Sequence, residues 1–217
     1  MPHWRSVAMW ALDAAGVGDL LRLSRGALAQ YGWRRSVRER AAVDAQGSPL
    51  PWLCYPAIDL LAARVRPELR VFEYGCGHST LWWAERVRVL AAVEHDAAWH
   101  ARMQARLPAH VALRHVPLVD GGDYCRAAVQ AAGAATRWDI VVVDGRDRVN
   151  CMQQAVGVLS DGGVMVVDNT DRPQYAPGLD WLRERGFRRL PLRGLAPIVD
   201  TLTETSLLYR PGNVLDL

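Results

Sequence analysis

Lysine is absent from this chain: all 26 basic residues are arginine. Without lysine there is no P-loop, and no side-chain amine to form the Schiff bases of pyridoxal-phosphate enzymes or class I aldolases. Cysteine is sparse and scattered. Cys54, Cys76, Cys125 and Cys151 form no C-x-x-C pair, so their spacing signals neither a zinc site nor a disulfide framework. No run approaches the ~18 consecutive apolar residues of a membrane-crossing helix. The opening apolar stretch from Val7 is broken by Asp13 and makes a poor secretory core. These absences predict a chain with no transmembrane segment, working in a reducing cytoplasm.

What is present is ordinary globular material. The chain of 217 residues is long enough for one α/β domain with an appendage, and 50% of it is hydrophobic and 23% charged. The net charge of +3 is too small to require a nucleic-acid partner. Residues 1–45 hold seven arginines against four acids, leaving nineteen of each in the remainder, so the whole excess sits at the N-terminal end. That cluster fits a solvated helix face, or a patch steering an anionic glycan, carrier protein or membrane surface.

Residues 1–46 read as helices. Trp4, Val7, Ala8, Ala11 and Leu12 fall at helical spacing, followed by amphipathic runs at Leu20–Gln30 and Trp33–Val43. The turn-rich Gly47–Pro51 break predicts a boundary, with an N-terminal helical cap over 1–46 and the main domain over 47–217. A cut there is expected to leave a folded domain. From Arg70 strands and helices alternate, which favours a parallel sheet covered on both faces. The strands are expected at Arg70–Tyr74, Val89–His95, Val111–Leu118, Trp138–Asp144 and Gly163–Asp168. Phe187–Leu192 and Thr203–Tyr209 follow with only a loop between them, which predicts an antiparallel pair.

The first strand ends in Glu73-Tyr74-Gly75-Cys76-Gly77, and a second acid, Glu94, ends the next strand. Two glycines let a ligand approach the backbone at the following helix, and a carboxylate at the second strand end can accept both hydroxyls of a ribose. Thr80 stands where a dinucleotide fingerprint has its third glycine, so a nucleoside without a pyrophosphate fits better. With the Asp144 turn and the terminal hairpin, this pattern resembles class I S-adenosylmethionine-dependent methyltransferases. The stretches Pro51–Ala57, Phe72–Ala84, Val93–Asp96 with Trp99, and Val143–Arg146 resemble a bacterial subgroup of mostly unassigned substrate. The chain departs from that subgroup at Cys76 and His78, where small or amide residues are commoner.

The resemblance implies a Rossmann-like α/β fold, with a seven-stranded, mostly parallel sheet ordered 3-2-1-4-5-7-6 and an antiparallel last strand. It implies S-adenosyl-L-methionine held by Glu73, Gly75 and Gly77 at the methionine half, by Glu94 at the ribose, and by His95 and Asp96 beside the adenosine. Asp120 or Asp123 would face the adenine. Asp144 would accept from the cofactor's amino group or, with Asp168 and Asn169, hold Mg²⁺, as three oxygen-bearing side chains can.

His78, His95 and His115 are candidate bases by residue type, with His78 nearest the expected transfer axis. Asp144, His78 and Asp168 are therefore the candidate catalytic groups. Cys76 suits packing better than attack. Arg146, Arg148 and Arg172 are candidates to fork onto an acceptor's carboxylate or phosphate, or else to pair with Asp147 and Asp171. The expected activity is methyl transfer, oxygen first and nitrogen second, to a small-molecule or glycan-type acceptor. Aminocarboxypropyl transfer, cyclisation of the cofactor and a non-catalytic scaffold are the alternatives. The N-terminal helices are expected over the active-site mouth or against a second subunit in a homodimer.

Overall fold

Alternate residues of the central strands carry apolar side chains on both faces, so the sheet must be covered twice. Trp138-Asp139-Ile140-Val141-Val142-Val143 is buried at every position. The structure, a computed structural model, describes Asp13 and residues 16–133 and 137–217. The helix expected across Trp4–Leu12 lies outside the described residues.

The elements described begin with α1 (Gly18–Arg25), α2 (Ala27–Gln30), α3 (Trp33–Glu39) and α4 (Tyr55–Arg64). There follow β1 (Arg70–Tyr74), α5 (His78–Ala84), β2 (Val89–Glu94), α6 (Ala97–Gln104), β3 (Val111–His115), α7 (Asp123–Ala132), β4 (Trp138–Val143) and α8 (Arg148–Ala155). The last elements are β5 (Leu159–Asp168), α9 (Ala176–Glu184), β6 (Arg188–Gly194) and β7 (Thr203–Tyr209). Seven strands form one sheet in the order β3-β2-β1-β4-β5-β7-β6. The first five are parallel, and β7 runs antiparallel to both β5 and β6. This is the expected topology.

Strand alternation divides the core in two. Phe72, Tyr74, Val141, Val143 and Val167 pack beneath α7, α8 and α9. Val71, Ile140, Val142 and Val166 pack on the opposite face against Ile58 and Leu61 of α4 and Trp82 and Trp83 of α5. Some strand limits differ from those expected. Pairing of β2 and β3 ends at Glu94 and His115, and β5 begins at Leu159, which pairs with Trp138 ahead of a shift in register.

Backbone bonds cross the Gly47–Pro51 break. Val43 bridges Pro49, and Leu50 N–H donates to Ala42 O at 2.9 Å. Ala42 and Val43 are buried. Tyr31 stacks on Tyr55 with ring centroids 4.3 Å apart and donates to Asp59 at 2.6 Å. Residues 31–46 are therefore stitched to the main domain, because polarity and turn residues in a segment do not tell whether its flanks are paired. Deleting residues 1–46 should remove at least one fully buried valine side chain and several hydrogen bonds, costing about 3 kcal/mol or more. Thermal unfolding should show Tm lowered by ~6–12 °C; an unchanged Tm would mean the segment folds separately.

Candidate functional site

The carboxyl ends of β1, β2, β4 and β5 open into a cavity of about 730 Å³, the place where open α/β sheets bind ligands. Glu73 to Ser79, Glu94 and His95, Asp144 to Arg146, Arg148, Asp168 and Asn169 line its inner part. Arg40–Ala42, Trp52 and residues of the β6–β7 loop close the outer part.

Two glycines set the spacing of the floor. Gly75 has φ +92°, and a Cβ there would lie 3.3 Å from the Gly145 Cα. A Cβ on Gly145 would lie 2.0 Å from the Tyr124 hydroxyl, so the β1 and β4 turns pass each other only as glycines. Around Gly77 a Cβ would meet nothing within 4 Å among the described residues: the missing side chain leaves room for a ligand.

Glu73 ends 1% exposed beneath this turn. Gly77 N–H donates to the Thr80 hydroxyl at 2.9 Å, and that hydroxyl donates to Glu73 Oε2 at 2.5 Å. Glu73 Oε1 is buried with no partner among the described residues. Burial, reinforced by the nearby Glu94, pushes the Glu73 carboxyl up to about 7, opposed by the neighbouring hydroxyls of Ser79 and Thr80. Glu94 is also buried but well served. Its Oε1 accepts from the backbone N–H of His95 at 2.7 Å and Asp96 at 2.9 Å, and Oε2 accepts from Cys76 N–H at 3.2 Å. Oε2 keeps a lone pair for a ligand hydroxyl. Trp99 also lines the cavity and donates its indole N–H to Cys76 O at 2.8 Å.

The β4 and β5 ends meet around Arg148, which is buried. Its guanidinium donates to the Gly145 carbonyl at 3.0 Å, to the Asp144 carbonyl and Oδ1 at 3.0 Å each, and to the Asp168 carbonyl. Thr205 donates to Asp168 Oδ1, and Asn169 donates to Oδ2, each at 2.6 Å. Burial and then the proximity of Asp168 push the Asp144 carboxyl well above its ordinary value, partly opposed by Arg148. Burial likewise raises Asp168.

Asp144, Asp168 and Asn169 thus come together, but not as a set of free oxygen donors. Both Asp168 oxygens are occupied, Asn169 turns its amide N–H₂ inward, and a guanidinium stands among them, so the three do not fit a divalent cation. Among the described residues no group of three or more His, Cys, Asp or Glu side chains is arranged to hold a metal.

Other candidates separate. Asp96 caps α6 by accepting from Trp99 N–H at 2.8 Å, a bond that lowers its pKa, and it is exposed outside the cavity lining. Asp120 also lies outside the lining, 3.4 Å from Asn150 Nδ2, and Asp123 begins α7 facing solvent. His95 lines the cavity; its Nδ1 lies 2.8 Å from Glu94 Oε1 without an aligned bond. His115 is exposed, 3.2 Å from the His95 carbonyl.

His78 lines the cavity, but its Nε2 sits 3.4 Å from Arg106 Nη2. Arginine can only donate, so Nε2 accepts, the proton resides on Nδ1, and no lone pair remains for a base. Burial and then Arg106 lower the His78 pKa, keeping the ring neutral. Burial, with Glu94 and Glu73 adding, pushes the Cys76 thiol far up, which makes it a poor nucleophile. Arg146 and Arg172 are exposed on the cavity rim, while Arg148 is the buried strut between the strands.

Arg40, Trp52 and the β6–β7 loop escaped the sequence reading because no local motif joins them. The loop is anchored from α3. Trp33 Nε1 donates to Val199 O at 2.6 Å, and Ile198 N–H donates to the buried Ser36 hydroxyl at 2.9 Å. Ile198, a β-branched residue, is thereby held at φ +76°, a left-handed conformation it would otherwise avoid.

No protein-family model matches the chain, and neither does any curated protein. Solved structures do. A rRNA methylase from Streptococcus thermophilus aligns with TM-score 0.52 at 14% identity, covering 70% of this chain and 93% of that one. The N-methyltransferase NodS from Bradyrhizobium japonicum aligns with TM-score 0.51 at 13% identity, covering 70% and 93%. The chain has the class I methyltransferase fold. A precorrin-8w decarboxylase from Methanobacterium thermoautotrophicum shares this architecture with TM-score 0.52 and 18% identity over 76% of this chain and 94% of that one. At these identities the likeness is one of fold.

Glu73 carries a stability signature. A carboxyl whose pKa rises from 4.5 to about 7 holds its proton more tightly in the folded chain. It therefore costs stability as pH climbs from about 4.5 to 7, and above 7 the cost is complete at roughly 3 kcal/mol. Glu73→Gln should raise Tm at pH 8 and lose most of that gain at pH 4.5. Thermal unfolding at both pH values checks this; an equal shift at both would contradict it.

Proposed function

We propose that this chain is an S-adenosylmethionine-dependent methyltransferase acting on the oxygen of a small-molecule or glycan-type acceptor. One observation carries the proposal: a buried, unpartnered carboxyl oxygen at Glu73 shares a cavity with the backbone-fixed carboxylate of Glu94, across a glycine turn with an open side. When bound, S-adenosylmethionine supplies a methyl group on a positively charged sulfur.

The residues present suit that cation. Glu94 Oε2 would accept from the ribose hydroxyls, Glu73 Oε1 would accept from the amino acid's ammonium, and Gly77 gives the methionine portion room. Trp99 and His95 would wall the nucleoside. Asp144 is the group suited to take a proton from the acceptor hydroxyl. It lines the cavity, its Oδ1 is tied to Arg148, and its raised pKa makes it a stronger base than an ordinary carboxylate. Fixed orientation of the pair would supply a large share of the rate. No metal is assigned, because Arg148 already neutralises the place between Asp144 and Asp168.

Titration calorimetry should detect S-adenosylmethionine and S-adenosylhomocysteine at micromolar affinity. Glu94→Ala should weaken both at least ~10-fold through the loss of charge-assisted bonds. Mass spectra of incubations with hydroxylated acceptors should show S-adenosylhomocysteine accumulating. Unchanged affinity in the variant would remove Glu94 from the site, and methylthioadenosine as the product would contradict methyl transfer.

A further inference from the structure

The cavity is charged oppositely at its two ends. Its floor gathers Glu73, Glu94, Asp144 and Asp168 around the buried guanidinium of Arg148, whereas its rim carries the exposed Arg40, Arg146 and Arg172. The three rim arginines come from separate places in the fold. Arg40 follows α3 at φ +50°, Arg146 follows β4, and Arg172 follows β5. All are exposed, and none makes a side-chain ion pair or hydrogen bond among the described residues. Residues 1–12, 14–15 and 134–136, which lie outside the description, contain no aspartate or glutamate that could pair with them. Asp171 lines the same rim without forming an ion pair to any of the three.

The same lining also carries exposed apolar side chains. Trp52 and Leu202 line the cavity with 50% and 54% of their surface exposed, and Val199 lines it too. Exposed large apolar groups sharing a cavity with unpaired arginines are what an amphiphilic anion requires. The ring or chain covers the tryptophan and leucine, and the anion takes the guanidinium forks. A cationic ligand suits the floor and an anionic one the rim, so the two would lie head to head with their charges matched.

We propose that the acceptor is a small molecule bearing a carboxylate or phosphate beside an apolar ring, selected by Arg40, Arg146 and Arg172 with Trp52 as its platform. This rests on the methyl-transfer proposal for its chemistry and on the rim alone for its selectivity. Arg40 and Trp52 are then specificity-determining residues, which explains why residues 31–52 are stitched to the sheet domain and why α3 also holds the facing β6–β7 loop.

The test uses the full chain and matched probe pairs, with and without S-adenosylhomocysteine. Hydroxybenzoates are compared with the corresponding hydroxybenzamides, and hydroxyphenyl phosphates with the corresponding neutral methyl esters, by calorimetry and by tryptophan fluorescence. At least one anionic member should bind ~10-fold or more tightly than its neutral partner, and the arm with the larger ratio identifies the anion. Arg40→Gln and Arg172→Gln should shrink that ratio to ~3-fold or less with S-adenosylhomocysteine affinity unchanged. Trp52→Ala should weaken both members of a pair alike and keep the ratio. A panel in which no anion outbinds its neutral partner overturns the proposal, as does a ratio that survives both arginine substitutions. Anion selectivity in a chain that does not bind S-adenosylhomocysteine would support the rim assignment and overturn the methyl-transfer reading.

Discussion

Arg148 holds the floor of the cavity together. Buried guanidinium groups are costly unless their donors are met, and four bonds hold this one, to the carbonyls of Asp144, Gly145 and Asp168 and to the carboxylate of Asp144. It thereby fixes the β4 turn against the end of β5 at the start of α8. Among the described residues it is also the buried guanidinium set among Glu73, Glu94, Asp144 and Asp168 at the strand ends. The chain answers the resulting crowding of acids in two ways. Glu73 and Asp144 hold their protons to higher pH, and Glu73 keeps one oxygen without a partner. Both features are what the proposed cationic ligand would meet at the floor.

The outer half of the cavity depends on a different constraint, the anchoring of a strained loop. Ile198 stays in a left-handed conformation because Ser36, in a helix 162 positions away in sequence, accepts its amide proton. Trp33 fixes the adjoining carbonyl. The N-terminal helices are thus joined to the sheet through the wall of the site itself, and Arg40 and Trp52 arrive at the rim as a consequence of that attachment.

The sheet was legible because β1, β4 and β5 are short apolar runs separated by helical patterns, and because the final strands have too little chain between them for a parallel crossover. The glycine turn and Glu94 were legible for the same local reason: strand, turn and helix follow one another in sequence. Fates of side chains in loops were not. Asp96, Asp120 and Asp144 look alike as acids after strands, yet one caps a helix, one lies outside the cavity and one lines it. Arg148 reads as a rim residue beside Arg146, and only its position on the first turn of α8 turns it inward. Spacing locates a residue on an element, while the choice between a ligand and a backbone amide is made by neighbours distant in sequence.

The acid floor receiving a cationic nucleoside is the central claim, and a crystal structure with S-adenosylhomocysteine tests it most directly. The ribose hydroxyls should lie within hydrogen-bond distance of Glu94, and the ammonium should face Glu73 Oε1, with the homocysteine chain passing Gly77. A nucleoside bound away from Glu94, or an ammonium paired elsewhere while Glu73 Oε1 stays unpartnered, would contradict the account.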